Sequence, residues 1–236
     1  MNPNDPNIHL LEIVAERLGD ELCNELVFVG GSVTGLLITD PAMPSIRPTE
    51  DVDVICRALT LTDYHHIEAR LQSRGFVQDA SQDAPICRWR ATDLRSIIVD
   101  VMPILENILG FSNRWYPLAL ETAEMMQLPS GHEIRLISAP AFLATKLEAF
   151  AGRGKGDYLS SHDLEDLLAV VDGRDSLPGE CETSEQGLRD YLAERFDELL
   201  ETPAFVDALS GHLPGDAASQ ARLPDLLIKL QRIAKL

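Results

Sequence analysis

The first half of the chain alternates helix-like and strand-like patterns of apolar and polar positions. Apolar residues recur at helical spacing over 8–18 and again over 64–74, where Gly75 ends the second helix. A short helix is also predicted over 33–38. Short apolar or alternating runs indicate strands at 26–29, 51–55, 86–90 and 96–102. This alternation predicts an α/β domain that ends near residue 135.

The second half of the chain changes to a helical pattern. Ser138 is a candidate N-cap residue with Pro140 in the first turn, and the helix that follows is predicted to end at Gly152. A serine at 160 or 161 begins another helix, which runs through Val171. Acidic helices follow later in the chain.

Two further segments complete the predicted domain organisation. The stretch 172–184 is rich in Gly, Pro, Ser and acidic residues, which is typical of a linker. The tail over 223–236 has the pattern of a basic amphipathic helix that docks on the rest of the protein. We therefore predict an α/β domain over 1–135 and a helical domain over 136–236.

Composition and charge limit the function classes. The 236 residues are 45% hydrophobic and 25% charged, which allows a sizeable core and excludes disordered, collagen-like and coiled-coil proteins. The net charge of -18 disfavours loose binding to DNA or to anionic membranes. The four scattered cysteines form no CxxC pair, so we expect neither a zinc site nor a disulfide framework. Without a signal-peptide pattern or a long apolar run, we expect a cytoplasmic protein.

Three aspartates stand on predicted strands. Asp51 and Asp53 are two residues apart, so both carboxylates leave the same face of one strand. Asp100 lies in the otherwise apolar run 97–102, where an unpartnered charge is costly. Neighbouring carboxylates repel each other unless a cation lies between them, and ligation by oxygen alone suits Mg²⁺ or Mn²⁺. The alternative for Asp51 and Asp53 is an exposed strand with solvated side chains, and the neighbours of Asp100 argue against it.

A glycine-rich turn, Gly30-Gly31-Ser32, lies between a predicted strand and a predicted helix. At such a turn the backbone N–H groups and the helix dipole favour an anion, and glycine lets the backbone approach a phosphate closely. The serine hydroxyl can donate to the same group. A turn of this kind often binds nothing, but together with three strand aspartates it indicates metal-dependent phosphoryl or nucleotidyl transfer.

The order of these motifs resembles a known superfamily. Val29-Gly30-Gly31-Ser32, then Thr49-Glu50-Asp51-Val52-Asp53, then Val99-Asp100-Val101 is similar to the pattern of nucleotidyltransferases of the DNA polymerase beta type. The segments FSNRWY at 111–116, ATKLEAF at 144–150 and SHDLED at 161–166 resemble the AbiEii/AbiGii toxin branch. MenT-type toxins, which are similar, transfer nucleotides to tRNA ends. The resemblance covers roughly residues 25–172, with a proline-rich insertion between Ser32 and Asp51.

The resemblance implies a fold and roles for the three aspartates. The expected fold is α+β: a nucleotidyltransferase domain with a mixed sheet and flanking helices, followed by a helical domain. Asp51 and Asp53 would hold two Mg²⁺ (or Mn²⁺) ions on a nucleoside triphosphate (NTP). Asp100 would ligate the catalytic metal and help to deprotonate the attacking hydroxyl.

Nucleotide-binding residues are expected on both predicted domains. The candidates are Gly30, Gly31, Ser32, Arg47, Thr49, Lys146, Asp163 and Asp166. Gly31 and Ser32 would hold the outgoing pyrophosphate. Lys146 falls inside the apolar stripe of its helix, so it either reaches the triphosphate or snorkels to water. Asp166 would orient Lys146 or the nucleotide, whereas Asp163 also suits the positive end of its helix dipole.

Three arginines are weaker candidates. Arg47 either reaches a phosphate or only decorates its loop. Arg88 and Arg90 share one face of a predicted strand, so they contact a base or a phosphate, or belong to a solvated hairpin. The sequence leaves these alternatives open.

The leading hypothesis is a toxin-like nucleotidyltransferase that moves an NMP from an NTP to an acceptor hydroxyl on RNA, with tRNA as the first candidate. A cognate antitoxin protein would then be a further partner. The charge of -18 is the main objection, because RNA-binding proteins usually present a basic face. Two alternatives stay open: an enzyme that inactivates a cationic antibiotic of the aminoglycoside type, and a non-catalytic nucleotide-binding partner protein. Neither a membrane nor DNA is expected as a partner.

Overall fold

The computed structural model describes residues 5–92, 97–154 and 156–236. By contacts between Cα atoms the chain divides into two compact units. The sheet unit consists of Pro6–Val33 and Pro48–Ser138. The helical unit contains Thr34–Arg47 and Ala139–Leu236. Most of the proline-rich insertion therefore makes its contacts within the helical unit. The division into folding domains at residues 135 and 136 stays a prediction.

The sheet unit contains a seven-stranded mixed sheet. Its strands are β1 Val27–Val29, β2 Asp51–Cys56, β3 Phe76–Gln78, β4 Arg88–Ala91, β5 Ile98–Pro103, β6 Glu124–Gln127 and β7 Glu133–Leu136. They lie in the order β3-β4-β5-β2-β1-β7-β6. Strands β2 and β5 are parallel, as are β1 and β7, and the other neighbouring pairs are antiparallel. This mixed sheet, followed along the chain by helices, confirms the predicted α+β fold class.

Apolar side chains hold β2 and β5 in the middle of the sheet. Val52 and Val54 on β2 and Val99 and Val101 on β5 are all 0% exposed. Helix α1 (Ile8–Glu25) packs against β2 and β7. Because side chains alternate along a strand, the carboxylates between these valines leave the opposite face of the sheet.

A capping box sets the start of one helix, and a glycine kinks another. Helix α3 (Leu61–Ser73) begins before residue 64 because Thr60 and Asp63 form a capping box. The Thr60 hydroxyl accepts from the Asp63 N–H, and the Asp63 carboxylate accepts from the Thr60 N–H. The predicted end of the first helix at residue 18 coincides with a kink in α1, because Gly19 is non-helical with φ of 73°, and a second helical stretch continues to Glu25.

Three strands of the sheet are not predicted by the sequence pattern. Strands β3 and β6 are the edges of the sheet, and most of their residues are exposed. Strand β7 has buried Ile134 and Leu136 and pairs in parallel with β1. The short helices α4 (Glu106–Leu109) and α5 (Tyr116–Glu121) lie between β5 and β6 in the chain. The Ser96 end of the predicted strand 96–102 lies outside the described residues.

The helices of the helical unit pack around a hydrophobic core of their own. Its helices are α2 Thr34–Leu37, α6 Ala139–Arg153, α7 His162–Gly173, α8 Leu177–Glu182, α9 Gln186–Glu201, α10 Pro203–Ala208, α11 Ala217–Gln220 and α12 Leu223–Ile233. The predicted docking of the tail is confirmed, because α12 packs on α7, α8 and α9 and buries its apolar side chains. Within the part of the chain that the structure describes, no helix is both long and apolar enough to cross a membrane.

The predicted linker over 172–184 is wrong. Helix α7 continues to Gly173, and α8 follows almost at once. The segment is held by burial of Leu177 and Cys181, both 0% exposed, and by Arg174, which donates to the carbonyl of Leu37. Its two glycines and its proline are helix residues here, since proline is tolerated in the first turn.

Candidate active site

The strand register places the three predicted carboxylates on one face of the sheet. Asp53 on β2 is the direct partner of Asp100 on β5, and Asp51 lies two residues earlier on β2. Asp100 is 7% exposed, whereas Asp51 and Asp53 are half-buried. Neighbouring strands lie about 4.8 Å apart, so the paired aspartates are adjacent across the sheet. The interpretation of Asp100 as a carboxylate on a central strand is therefore confirmed.

Arg88 joins two of these carboxylates. Strand β4 pairs Arg88 with Asp100, and the Arg88 guanidinium donates to both oxygens of Asp100, from Nε at 2.8 Å and from Nη2 at 2.7 Å. The same Nη2 donates to Oδ2 of Asp51 at 2.9 Å. The hydrogen bonds to Asp100 are the main reason that the pKa of Arg88 is raised above its usual value. We call the three carboxylates Asp51, Asp53 and Asp100, together with the bridging Arg88, the carboxylate row.

Gly30 packs directly against this row. Val29 at the end of β1 pairs with Asp53, and the backbone then turns through Gly30 with φ of 73°. A Cβ atom at Gly30 would lie 1.9 Å from Oδ2 of Asp53, so this approach requires glycine both for its φ and for its lack of a side chain.

The turn continues as a 3₁₀ segment over Gly31–Val33. Gly31 is buried and Ser32 is 1% exposed. Within the described chain the Ser32 hydroxyl oxygen has no hydrogen-bond partner. A buried hydroxyl that lacks a partner is costly in free energy, so it is typical of a place where a ligand or water completes the bonding.

Thr49 fixes the entry into β2. Its backbone N–H donates to Oδ1 of Asn7 at 2.8 Å, and its hydroxyl lies 3.2 Å from the carbonyl oxygen of Asp51. Asn7 is 1% exposed. In this arrangement Thr49 holds the first residue of the strand, and its nucleotide-binding role stays a prediction.

A second group of charges lies in the helical unit. The Lys146 ammonium on α6 is 2.6 Å from Oδ2 of Asp166 and 3.4 Å from Oδ1 of Asp163, both on α7. Arg153 donates to both oxygens of Asp163, and Arg47 donates to Oδ2 of Asp166 at 3.0 Å. We call these five residues the α6–α7 charge cluster. The side chain of Lys146 is 8% exposed, so the snorkelling interpretation is wrong.

Burial and charge act in opposite directions on Asp163. Burial raises the pKa of its carboxyl group, but the hydrogen bonds from Arg153 and the positive charge of Lys146 outweigh it and hold this pKa below its usual value. A carboxyl group with a lowered pKa stabilises the fold above its unfolded pKa of about 3.9, and this contribution is lost as the pH falls through the folded pKa.

The carboxylate row has the donors that a divalent cation requires. Three carboxylates in adjacent register, a glycine that leaves space beside Asp53, and an unpartnered Ser32 hydroxyl fit a metal-bound phosphate. In this geometry, however, no group of three or more His, Cys, Asp or Glu side chains among the described residues is arranged to hold a metal ion. In the same geometry Asp51 and Asp100 accept hydrogen bonds from the Arg88 guanidinium.

Replacing Gly30 with alanine should damage the carboxylate row more than its backbone conformation alone explains. The positive φ costs an L-residue about 1–2 kcal/mol, and the new methyl group would also have to displace the Asp53 carboxylate. Gly110 is a matched control, because it has φ of 84° with nothing within 4 Å of an added Cβ. Urea unfolding should therefore show a larger stability loss for Gly30→Ala than for Gly110→Ala. Equal losses would contradict the close packing of Gly30 on Asp53.

Comparison with solved structures finds distant likenesses. No protein-family model matches the chain, and no curated protein sequence matches it. An antigenic nucleotidyltransferase-like protein from Paracoccidioides brasiliensis is 18% identical, with 87% of this chain and 93% of that chain covered and a TM-score of 0.49. JHP933 from Helicobacter pylori is 13% identical, with coverages of 96% and 92% and a TM-score of 0.48.

The sequence pattern does not predict the contribution of Arg88. Neither a nucleotide contact nor a solvated hairpin describes an arginine that bridges Asp51 and Asp100. The sequence indicates this pairing only indirectly. Asp100 lies in an apolar strand and needs a positive partner, and Arg88 and Arg90 share one face of another predicted strand. Only the β4–β5 register shows which of the two arginines provides it.

Proposed function

We propose that the chain is a divalent-metal-dependent nucleotidyltransferase that moves an NMP from an NTP to an acceptor hydroxyl. The observation that supports this most strongly is the register that pairs Asp53 with Asp100, with Asp51 on the same face and Gly30 packed against Asp53. Carboxylates concentrated on one sheet face beside a glycine turn suit a site that receives a metal-bound triphosphate.

In this proposal the aspartates have distinct tasks. Asp51, Asp53 and Asp100 would hold Mg²⁺ or Mn²⁺, which when bound neutralises the triphosphate and makes the α-phosphorus a better electrophile. Asp100 would also accept the proton of the acceptor hydroxyl. The acceptor oxygen then forms a bond to the α-phosphorus as the bond from that phosphorus to the bridging oxygen breaks, and pyrophosphate leaves with the electron pair.

The remaining candidates would bind the nucleotide. Gly30, Gly31 and Ser32 would meet its phosphates, and the buried Ser32 hydroxyl would gain the hydrogen bond that it lacks. In the helical unit, Arg47 and Asp166 of the charge cluster line a cavity of about 260 Å³, and Arg47 would supply the positive charge to a ligand there. Lys146 would contribute positive charge, and Asp163 and Asp166 would fix its position.

The acceptor is the second part of the proposal. The sequence resemblance favours RNA as the acceptor, with tRNA as the first candidate. In that case the protein would be a cytoplasmic toxin with a cognate antitoxin. The net charge of -18 favours a second candidate, a small cationic acceptor of the aminoglycoside type, because an acidic surface attracts cations.

One labelling experiment tests both acceptors. The full chain is incubated with each α-labelled NTP and Mg²⁺, with total cellular RNA in one series and aminoglycosides in the other, and Asp53→Asn protein is the control. Label on a discrete RNA band supports the RNA proposal, and label on the antibiotic supports the second candidate. Label on neither would overturn both acceptors, and absence of Mg²⁺-dependent NTP binding as well would favour a non-catalytic partner protein.

A further inference from the structure

Arg88 occupies the position between the two carboxylates that a metal ion would need. Both Asp100 oxygens and one Asp51 oxygen accept hydrogen bonds from its guanidinium, at 2.7 to 2.9 Å. The two-oxygen contact with Asp100 has the fork geometry that makes arginine–carboxylate pairs strong and directional. These bonds involve the same lone pairs that would ligate Mg²⁺.

We infer that Arg88 is a resident cation that competes with the divalent metal for Asp51 and Asp100, so that metal binds only when Arg88 releases them. This inference rests on the proposed function, since it concerns the same metal site. It adds a regulatory feature to that site: without metal, the protein closes the site with its own side chain.

Burial explains why such a cation is needed. Asp100 is 7% exposed on a central strand, and an ionised carboxylate there is unfavourable without a positive partner. Arg88 provides such a partner, and the antiparallel pairing of β4 with β5 fixes it opposite Asp100. A metal ion would provide the same compensation, but two cations cannot share the same oxygens at short range without strong repulsion.

The exposure of Arg88 allows the exchange. Its side chain is 21% exposed, so the guanidinium can move toward water when a metal takes its carboxylates. Its neighbour Arg90 points the same way from β4 but pairs with Asp79, with Nε 2.6 Å from Oδ2. Arg90 therefore carries the same charge close by without touching the carboxylate row, which makes it the matched control.

Divalent-metal affinity tests the inference without reference to activity. Free Mn²⁺ is measured by electron paramagnetic resonance during titration of the wild type and of the Arg88→Gln, Arg90→Gln and Asp51→Asn variants. We expect Arg88→Gln to bind Mn²⁺ roughly tenfold more tightly than wild type or better, since a close positive charge has been removed. Arg90→Gln should stay within about twofold, because its charge is screened and differently paired.

A second variant covers the case in which Arg88→Gln does not fold. Arg88→Lys retains the positive charge, but a lysine ammonium cannot bind both Asp100 oxygens as a fork, so Mn²⁺ affinity should rise by a smaller factor. Near-ultraviolet circular dichroism identifies the folded variants. Melting temperature adds an independent measure: Mn²⁺ should raise that of the Arg88 variants more than that of wild type.

The outcomes separate this inference from the proposed function. Wild-type binding that depends on Asp51, with tighter binding in the Arg88 variants, supports both. If wild type binds Mn²⁺ through Asp51 but the Arg88 variants bind no more tightly, competition by Arg88 is overturned and the metal site stands. If neither wild type nor any folded Arg88 variant binds Mn²⁺, the metal site itself is overturned.

Discussion

Replacing Asp100 with asparagine should abolish nucleotidyl transfer while leaving the fold in place. Asparagine has the same shape as aspartate but lacks the negative charge that would ligate the metal and accept the proton of the acceptor hydroxyl. Loss of a positioned proton acceptor alone reduces rates by about 10²–10⁴-fold, and loss of a metal ligand adds to this. The measurement is the initial rate of transfer of an α-labelled NMP, on the acceptor that the labelling experiment identifies.

Asp79 is a matched control for this variant. It belongs to the same unit and also accepts a hydrogen bond from an arginine, Arg90 of β4, but it lies off the carboxylate row. Asp79→Asn should transfer at close to the wild-type rate. If Asp100→Asn retains most of the wild-type rate, or if both variants lose it equally, Asp100 does not take part in the chemistry.

Replacing Lys146 with methionine should strongly destabilise the helical unit. Methionine preserves the buried stem of the side chain but removes the charge beside Asp163 and Asp166, which are 4% and 3% exposed. Breaking a buried ion pair typically costs 3–5 kcal/mol. Arg153 and Arg47 still hold the two carboxylates, so we expect a loss of about 3 kcal/mol in the free energy of unfolding, measured in urea.

A double variant shows whether this loss comes from the unpaired charge. Adding Asp166→Asn to Lys146→Met removes one of the carboxylates left behind, so part of the stability should return. The difference between wild type and Lys146→Met should also shrink as the pH falls through the lowered pKa of Asp163, because a protonated carboxyl group no longer needs a positive partner. A loss below about 1 kcal/mol, or one that does not change with pH, would show that the ion pairs contribute little.

Local patterns predicted the centre of the sheet well. Burial of β2 and β5 can be predicted locally, because a strand face that is buried must be apolar. The pattern is visible in the alternation of valine and aspartate in β2 and in the apolar run around Asp100. Strands β3 and β6 were missed because they are short and exposed, so they lack a periodic apolar signal. Their pairing depends on neighbours that are distant in sequence.

Tertiary contacts account for the errors in the second half of the chain. The segment around Leu177 has the composition of a linker, and only its burial against the other helices of its unit makes it a helix. The position of Lys146 in an apolar stripe correctly marked it as unusual. Its burial between two aspartates followed from the packing of α6 on α7, which the sequence pattern does not contain.

The carboxylate row shows the same limit at the candidate site. The spacing of Asp51 and Asp53 predicts that they share a face, and this spacing is a local property of one strand. That Asp100 stands opposite Asp53, and that Arg88 stands opposite Asp100, depends on the registers of three strands. A slip of one residue in either pairing would turn these side chains to opposite faces.

Metal-dependent nucleotide binding tests the central claim most directly, since it requires no knowledge of the acceptor. The measurement is calorimetric titration of the full chain with each α,β-methylene NTP, in Mg²⁺ and in EDTA, on wild type and Asp51→Asn. We predict that at least one nucleotide binds wild type in Mg²⁺, and that binding is lost both in EDTA and in Asp51→Asn. Equal binding in Mg²⁺ and EDTA, or no binding of any of the four nucleotides, would contradict the assignment of the carboxylate row as a metal–nucleotide site.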